Sequence, residues 1–549
     1  MAHFNNSRVS MPHSNIYNTI NHNHMYNPLE RQSRRGVPGS GEESGREATK
    51  TRKEMLDDVL QKLPSINYLQ SHEEASRKVI GEGGKWFLQH EKFKNWMNGR
   101  LTAFLGLGDP GVGKTCLVSL VISHIQELKG ATRGAYLYVS HQKAEVQTPT
   151  NIVSTLLRQL LSTHSSLPDS AVGLYEQLNL DQGPQLKVLV TTLISMCTDP
   201  GFRTYIVLDA LDECKPSHQP ELIQILEQLL TAQVQLFATS RPVSEDFSSL
   251  FDSASCTKYF IRATTSDISD FLKQKLKSKK ALGSFVDEKF KEEVIKTIRS
   301  KSEGIFLIAA MQVDHIISLT NKAEMKEALL NFPADLETNF SMTLTRIKAQ
   351  SPKQSNLAFK VMELLVTVIE PLTTNGLCYA LGTELKSERF NSDKLTSCSM
   401  IVECCCGLVT IQGDEESSDA DIDFFHLSVL EYMEKQFEAN IPSFEKQLAL
   451  TCLTYLTIDN LCKDGMIISW LDAVTSGDAA SFYKYAAKYW GIHAAKNIDH
   501  DIMELIKLLI SKRGHVTKWG QVDYAEKYEN TQVQMLYDSK KHHGQVKQL

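Results

Sequence analysis

Apolar positions along the chain follow two rhythms. Between Leu101 and Ile261, short uninterrupted apolar runs alternate with longer stretches in which apolar residues recur every three or four positions. The runs read as buried strands and the periodic stretches as amphipathic helices. Strands are predicted at Leu101–Leu107, Ala135–Val139, Tyr205–Leu208, Val234–Ala238 and Thr257–Ile261, with helices at Cys116–Leu128, Ile152–Leu161, Leu186–Met196 and Glu221–Leu230. Strands that are apolar throughout and separated by helices predict an α/β fold, a parallel sheet with helices on both faces. The second rhythm begins at Ser266 and is helical, with no strand until Gly407–Ile411. That strand and another at Asp423–Phe425 flank the acidic stretch Gly413–Asp421, which predicts a two-stranded wing with a solvated tip. After Pro442 the pattern is helical again, through Asp501–Lys512, and the final stretch is polar.

Upstream of the first strand, Met55, Val59, Leu60 and Leu63 give helical spacing over Lys53–Leu69, and Leu88, Phe93 and Trp96 suggest a second helix. Gly81, Gly83 and Gly84 lie between them as a flexible joint. Residues 1–50 are rich in Asn, His, Ser, Arg and Gly, and cannot bury enough apolar surface to offset their ordering entropy. They are expected to be a disordered tail, with His22 and His24 solvated and not metal ligands.

Composition narrows the class. A length of 549 residues suits several domains. With 59 Lys+Arg against 65 Asp+Glu, the net charge of −6 argues against a general affinity for nucleic acid or anionic membrane. The 11 cysteines form no CxxC pair, and Cys404-Cys405-Cys406 lacks the spacing of a zinc site. No uncharged apolar run reaches the roughly 18 residues that cross a bilayer, and the N-terminus lacks a secretory h-region. A soluble, reduced, cytoplasmic protein without membrane partners is the expectation. No ankyrin, tetratricopeptide or WD period is present.

Gly108-Asp109-Pro110-Gly111-Val112-Gly113-Lys114-Thr115 matches GxxxxGK[ST], after an apolar strand and at the start of a helix. Glycines let backbone N–H groups converge on phosphate oxygens, and the helix N-terminus adds partial positive charge. Lys114 is expected to reach the β- and γ-phosphates and the Thr115 hydroxyl to hold Mg²⁺, with Cys116 next on the helix. Tyr205-Ile206-Val207-Leu208-Asp209-Ala210-Leu211-Asp212-Glu213 has the Walker B form: an apolar strand ending in Asp209, placed to hold Mg²⁺ through water. Asp212 or Glu213 would polarise an attacking water. Val234–Ala238 ends in Thr239-Ser240-Arg241, where the Arg241 cation could sense a γ-phosphate. A strand lying between the P-loop strand and the Walker B strand, Ala135–Val139, points to the ATPase branch of P-loop folds.

GDPGVGKT, YIVLDALDEC, ATSRP, GIFLIAA and FFHLSVLEYM, in that order, resemble the NACHT class of signal-transducing NTPases. The match is closest to the fungal NOD-like group, whose N-terminal region is also called nephrocystin-3-like. The resemblance runs from Met55 to Ala495 and takes in GEGGKWFLQHEKFKNWM and FYKYAAKYWGIHAA. It implies an N-terminal helical segment (51–97), a P-loop NTPase domain (98–264), a small helical domain (265–340), a winged-helix domain (341–440) and a C-terminal helical segment (441–549). It further implies that His426 contacts the β-phosphate of bound ADP. The chain departs at Gly304-Ile305-Phe306, where the wider class often carries Gly-x-Pro with the proline near adenine. The ankyrin or WD repeats usual in the family are missing, through either a repeat-less member or a truncated gene model. No arginine finger is assignable, and a neighbouring protomer would have to supply one.

These readings lead to a nucleotide-driven switch binding ATP, ADP and Mg²⁺, hydrolysing slowly and self-associating when active. Moving a two-state equilibrium from 1:99 to 99:1 takes about 5.5 kcal/mol of differential binding. At roughly 1.5–3 kcal/mol per charged hydrogen bond, two to four state-specific phosphate contacts suffice, with Lys114, Arg241 and His426 as candidates. The rivals are an ATP-driven remodeller, for which neither a pore loop nor a second sensor is assignable, and a scaffold holding nucleotide permanently. DNA binding is disfavoured, because 407–437 has an acidic wing and few basic residues.

Overall fold

A computed structural model describes residues 50–179, 183–242, 245–277, 286–412, 420–458 and 480–513. The expected N-terminal tail before Lys50, the wing tip at 413–419 and the polar C-terminus beyond residue 513 lie outside the described residues. Five parallel strands, β1 (Ala103–Leu107), β2 (Thr132–Tyr138), β3 (Arg203–Asp209), β4 (Gln235–Ser240) and β5 (Cys256–Phe260), form one sheet. Their order is β2-β3-β4-β1-β5. One sequence expectation is corrected here. The strand inserted between the P-loop strand β1 and the Walker B strand β3 is β4, while the strand predicted at Ala135–Val139 is the edge strand β2. Chain order does not fix sheet order once crossover helices intervene.

Every residue of β1 is buried, as are all but the first of β3 and β4. Successive side chains alternate between faces. Leu105, Leu137, Ile206, Leu208, Leu236 and Ala238 pack with the helices Pro149–Leu161, Leu186–Cys197 and Gln219–Thr231. Phe104, Tyr136, Val207 and Phe237 pack with the helix Lys114–Glu127 on the other face.

The N-terminal segment serves both faces: Leu56, Val59 and Leu63 join the first core, and Ala75, Phe87, Phe93 and Trp96 complete the second. Each helix predicted there is divided in two: Arg52–Lys62 and Tyr68–Arg77, then Lys85–Gln89 and Glu91–Met97. Pro64 explains the first break, since the residue before a proline disfavours helix. Phe87, Phe93 and Trp96 are fully buried, forming an aromatic wedge against Phe104 and Phe237, whose rings stack at 5.0 Å. The joint expected at Gly81–Gly84 is a hydrogen-bonded turn. Gly84 N–H and the Trp86 indole N–H both donate to Asp267, at 3.1 and 2.9 Å.

Beyond the sheet, helices Thr265–Lys277, Glu288–Lys301, Phe306–Ser318 and Lys322–Asn331 share a core of their own. The following segment holds a small antiparallel sheet of β6 (Leu372–Thr373), β7 (Val409–Gln412) and β8 (Asp421–Phe424), ordered β6-β8-β7. The expected two-stranded wing therefore has a third strand. β6 is two residues long, and so short a strand carries no alternation that could reveal it. Helices Leu336–Ala349, Pro352–Thr367, Ile441–Thr457, Ala480–Ala495 and His500–Arg513 surround this sheet in one continuous core. Inside it, fully buried His493 pairs through Nδ1 with Glu445 and through Nε2 with the Tyr485 hydroxyl, at 2.8 Å. Lys496 closes the cluster, 2.6 Å from Glu445. No helix of the described residues is long and apolar enough to cross a membrane.

Candidate nucleotide site

The loop between β1 and the helix Lys114–Glu127 carries the GxxxxGK[ST] residues. Gly113, at φ +93°, is the N-cap of that helix and offers no side chain to its first N–H groups. Those groups are orphan donors with the positive end of the helix dipole behind them. Gly111, at φ +75°, could not carry a side chain, because a Cβ there would sit 2.2 Å from the Leu307 Cβ. The Leu307 N–H also donates to the Gly111 carbonyl at 3.3 Å. The segment Gly304–Leu307 thus lies directly on the loop, and the Phe306 ring stands where a Gly113 Cβ would meet it at 3.2 Å.

Lys114 Nζ donates to the Gly108 and Asp109 carbonyls at 2.8 and 3.2 Å. Burial lowers its pKa, opposed by the carboxylates of Asp212, Asp209 and Glu213. Thr115 is exposed, and its side chain also hydrogen bonds Asp209. The Cys116 thiol is pushed up to about 11 by burial, which keeps it protonated.

Strand register brings the second half of the site alongside. β1 pairs Leu107 with Ser240, so the loop leaves the sheet beside Arg241. β3 pairs Leu208 with Ala238, which sets Asp209 beside Thr239. The Thr239 hydroxyl donates to Asp209 at 2.5 Å and accepts the Ala210 N–H at 2.9 Å. Asp209 is 2% exposed, and burial pushes its carboxyl up to about 6. Ala210 takes φ +55°, a region unfavourable for residues other than glycine, and this turn swings Asp212 toward β4. Asp212 accepts from Arg241 twice, from the backbone N–H at 3.0 Å and from Nε at 2.6 Å. Glu213 instead accepts from the backbone N–H and ring Nδ1 of His141, both at 3.3 Å.

The third contribution comes from the helix Leu427–Phe437, which follows β8. His426 is its N-cap. The His426 Nδ1 accepts the Ser428 N–H at 3.1 Å, which leaves the proton of the neutral ring on Nε2. Nε2 has no protein partner among the described residues. Burial, followed by the charges of Lys114, Arg241 and His141, lowers the His426 pKa to about 4. Further along the helix, Glu431 meets the outer nitrogens of Arg241 in a two-pronged contact, 2.8 Å on each side. Gln142 donates to the buried Asp423 of β8.

The structure therefore gathers Gly108–Cys116, Asp209, Asp212, Glu213, Arg241 and His426 at one edge of the sheet. Sequence reasoning missed His141, Gln142, Asp423 and Glu431. Glu431 had one visible signal, as the only charged residue in the apolar stretch FFHLSVLEYM. The residues fit a nucleotide with Mg²⁺: uncapped N–H groups, a half-buried lysine held by carbonyls, an acid poised near neutrality and an unpartnered imidazole N–H converge there. The chain carries a P-loop NTPase domain. Residues 82–241 match the family described as nephrocystin 3, N-terminal. No curated protein matches the chain.

Among solved structures, the chain is similar to the Aeropyrum pernix ORC1 protein in complex with DNA, at 13% identity and a TM-score of 0.30, covering 71% of this chain and 98% of that one. It is also similar to Cdc6p from Pyrobaculum aerophilum, at 13% identity and 0.31, covering 67% and 98%. For PCH-2 of C. elegans the values are 10% and 0.23, with 50% and 70% covered. At such TM-scores the fold assignment rests on the strand order and the phosphate loop themselves.

Proposed function

We propose that this chain is a nucleotide-controlled switch of the NACHT type, in which a winged-helix domain, residues 341–440, closes over a phosphate site at the edge of the sheet. The observation carrying this reading is the shared use of Arg241. One side of its guanidinium serves the site's own Asp212, and the other serves Glu431 on the closing helix. Bound ATP with Mg²⁺ supplies an electrophilic terminal phosphate whose negative charge the site must match. Lys114 and the uncapped N–H groups after Gly113 hold phosphate oxygens, and Thr115 and Asp209 hold the metal. His426 would donate a hydrogen bond from its Nε2–H to a phosphate oxygen, and the low pKa of the ring keeps it neutral near pH 7. Of the two acids after Asp209, Glu213 is the better placed to take a proton from water, because Asp212 is 7% exposed and committed to Arg241. Slow hydrolysis, self-association in the open form and a cytoplasmic location belong to the same proposal, with the protein partners unassigned.

The test is to purify the full chain, denature it and identify any released nucleotide by chromatography, with Lys114→Ala alongside and the native mass recorded for both. Stoichiometric ADP on a monomer, absent from the variant, is the expected outcome. An empty site with rapid turnover would replace the switch with a remodeller, and ATP held without hydrolysis would replace it with a scaffold.

A further inference from the structure

Arg241 has a protein partner at each guanidinium nitrogen. Its Nε and backbone N–H are held by Asp212, and its two outer nitrogens by both oxygens of Glu431. The two carboxylates differ in how firmly they are set. Asp212 is 7% exposed and follows directly from the Walker B strand, so its position is fixed by the sheet. Glu431 is 43% exposed and arrives on a helix that belongs to a different hydrophobic core. Of the two partners, Glu431 is the exchangeable one. Among the described residues, Arg241–Glu431 is also the ion pair that joins the sheet domain to the segment 341–440.

The same helix begins at His426. His426 caps this 11-residue helix, so a shift of the helix that withdraws Glu431 also moves the unpartnered His426 N–H. Another polar contact across this boundary, Gln142 to Asp423, joins a neutral amide to a carboxyl and provides no cation for an incoming anion. A guanidinium fork matches a carboxylate or a phosphate with the same two-pronged geometry. We infer that Glu431 and the terminal phosphate of a nucleoside triphosphate compete for the Arg241 guanidinium, making Glu431 the positioning residue that sets the site's preference for diphosphate over triphosphate. The inference rests on the switch reading above and adds to it a specific acid, with a direction for its effect. Solvent screens the exposed side of this pair, so the effect belongs at the modest end of charge-assisted contacts.

The experiment compares wild type with Glu431→Gln in the full chain, which removes the charge and keeps the shape. Isothermal titration measures binding of ADP and of the non-hydrolysable β,γ-imido triphosphate, both with Mg²⁺. Glu431→Gln is expected to tighten the triphosphate analogue about tenfold, equivalent to about 1.4 kcal/mol, and to leave ADP within about twofold. In an Arg241→Gln background the same change is expected to have no effect on the preference. Glu431→Ala reads the same shift if the Gln variant folds poorly, as judged by thermal melting. An equal shift for both ligands, an unchanged preference, or a shift that persists without Arg241 would each overturn the inference. Binding that Lys114→Ala abolishes, with an unchanged preference in Glu431→Gln, removes this inference and leaves the switch reading standing. Wild-type binding indifferent to Lys114→Ala, or absent altogether, removes both.

Discussion

Two histidines with charged neighbours, one buried and one half-buried, show how differently the same chemistry can be used. His493, in the C-terminal helices, has both ring nitrogens satisfied, by Glu445 and by Tyr485, and Lys496 balances the remaining carboxylate oxygen. His426, at the sheet edge, has one nitrogen spent on capping its own helix and the other unpartnered. Both ring nitrogens of His493 and both oxygens of Glu445 are matched there, and apolar core closes over all of the cluster but the exposed Lys496. The second cluster has more cationic and donor capacity than the protein uses: an uncapped helix N-terminus, Lys114 resting on carbonyls, and the His426 N–H. A closed network stabilises and specifies packing, whereas an open one is where a ligand completes the hydrogen bonding.

The largest test of this contrast is His493→Ala. Removing one member of a buried charged network is expected to cost about 3–5 kcal/mol of unfolding free energy, read by urea denaturation. Nucleotide affinity of the folded fraction is expected to stay at the wild-type value. A comparable loss of affinity would mean that the two clusters are coupled.

The next test is His426→Gln, compared with wild type across pH. The folded pKa of His426 is depressed to about 4 against an ordinary value of 6.5. Between those values the unfolded chain binds more protons than the folded one, so the stability contributed by the neutral ring is complete above pH 6.5 and is lost as pH falls toward 4. The stability advantage of wild type over the variant is expected to be roughly 2 kcal/mol smaller at pH 5 than at pH 8. A difference independent of pH would remove the neutral histidine.

The smallest effect is expected from Lys496→Gln. The Lys496 side chain is 56% exposed, and half-solvated ion pairs contribute about 0–1 kcal/mol. A loss as large as that of His493→Ala would show that Glu445 depends on the lysine and not on the histidine.

Some of this molecule was readable from its residues. The phosphate loop and Walker B strand were legible because each concentrates its chemistry in one short contiguous run, where spacing alone specifies the backbone. Strands β1, β3 and β4 were legible because both faces of each are covered, which forces near-continuous apolar runs. The partition of the acids after Asp209 was not legible. Asp212 and Glu213 are neighbours in sequence, yet one binds Arg241 and the other His141, because Ala210 turns the chain through a left-handed conformation. β6 was also hidden, since two residues carry no period.

By itself, the sequence determined the loop Gly108–Thr115, the acid Asp209 and the alternation of strand and helix that places both at the same edge of a sheet. Local spacing suffices there because each signal lies within a few residues of backbone. Tertiary structure alone decided that β4 lies between β1 and β3, which sets Arg241 beside the loop, and that Glu431 closes on Arg241 across 190 residues of chain. Contacts at such separation depend on how independently formed cores dock, and no local pattern encodes that.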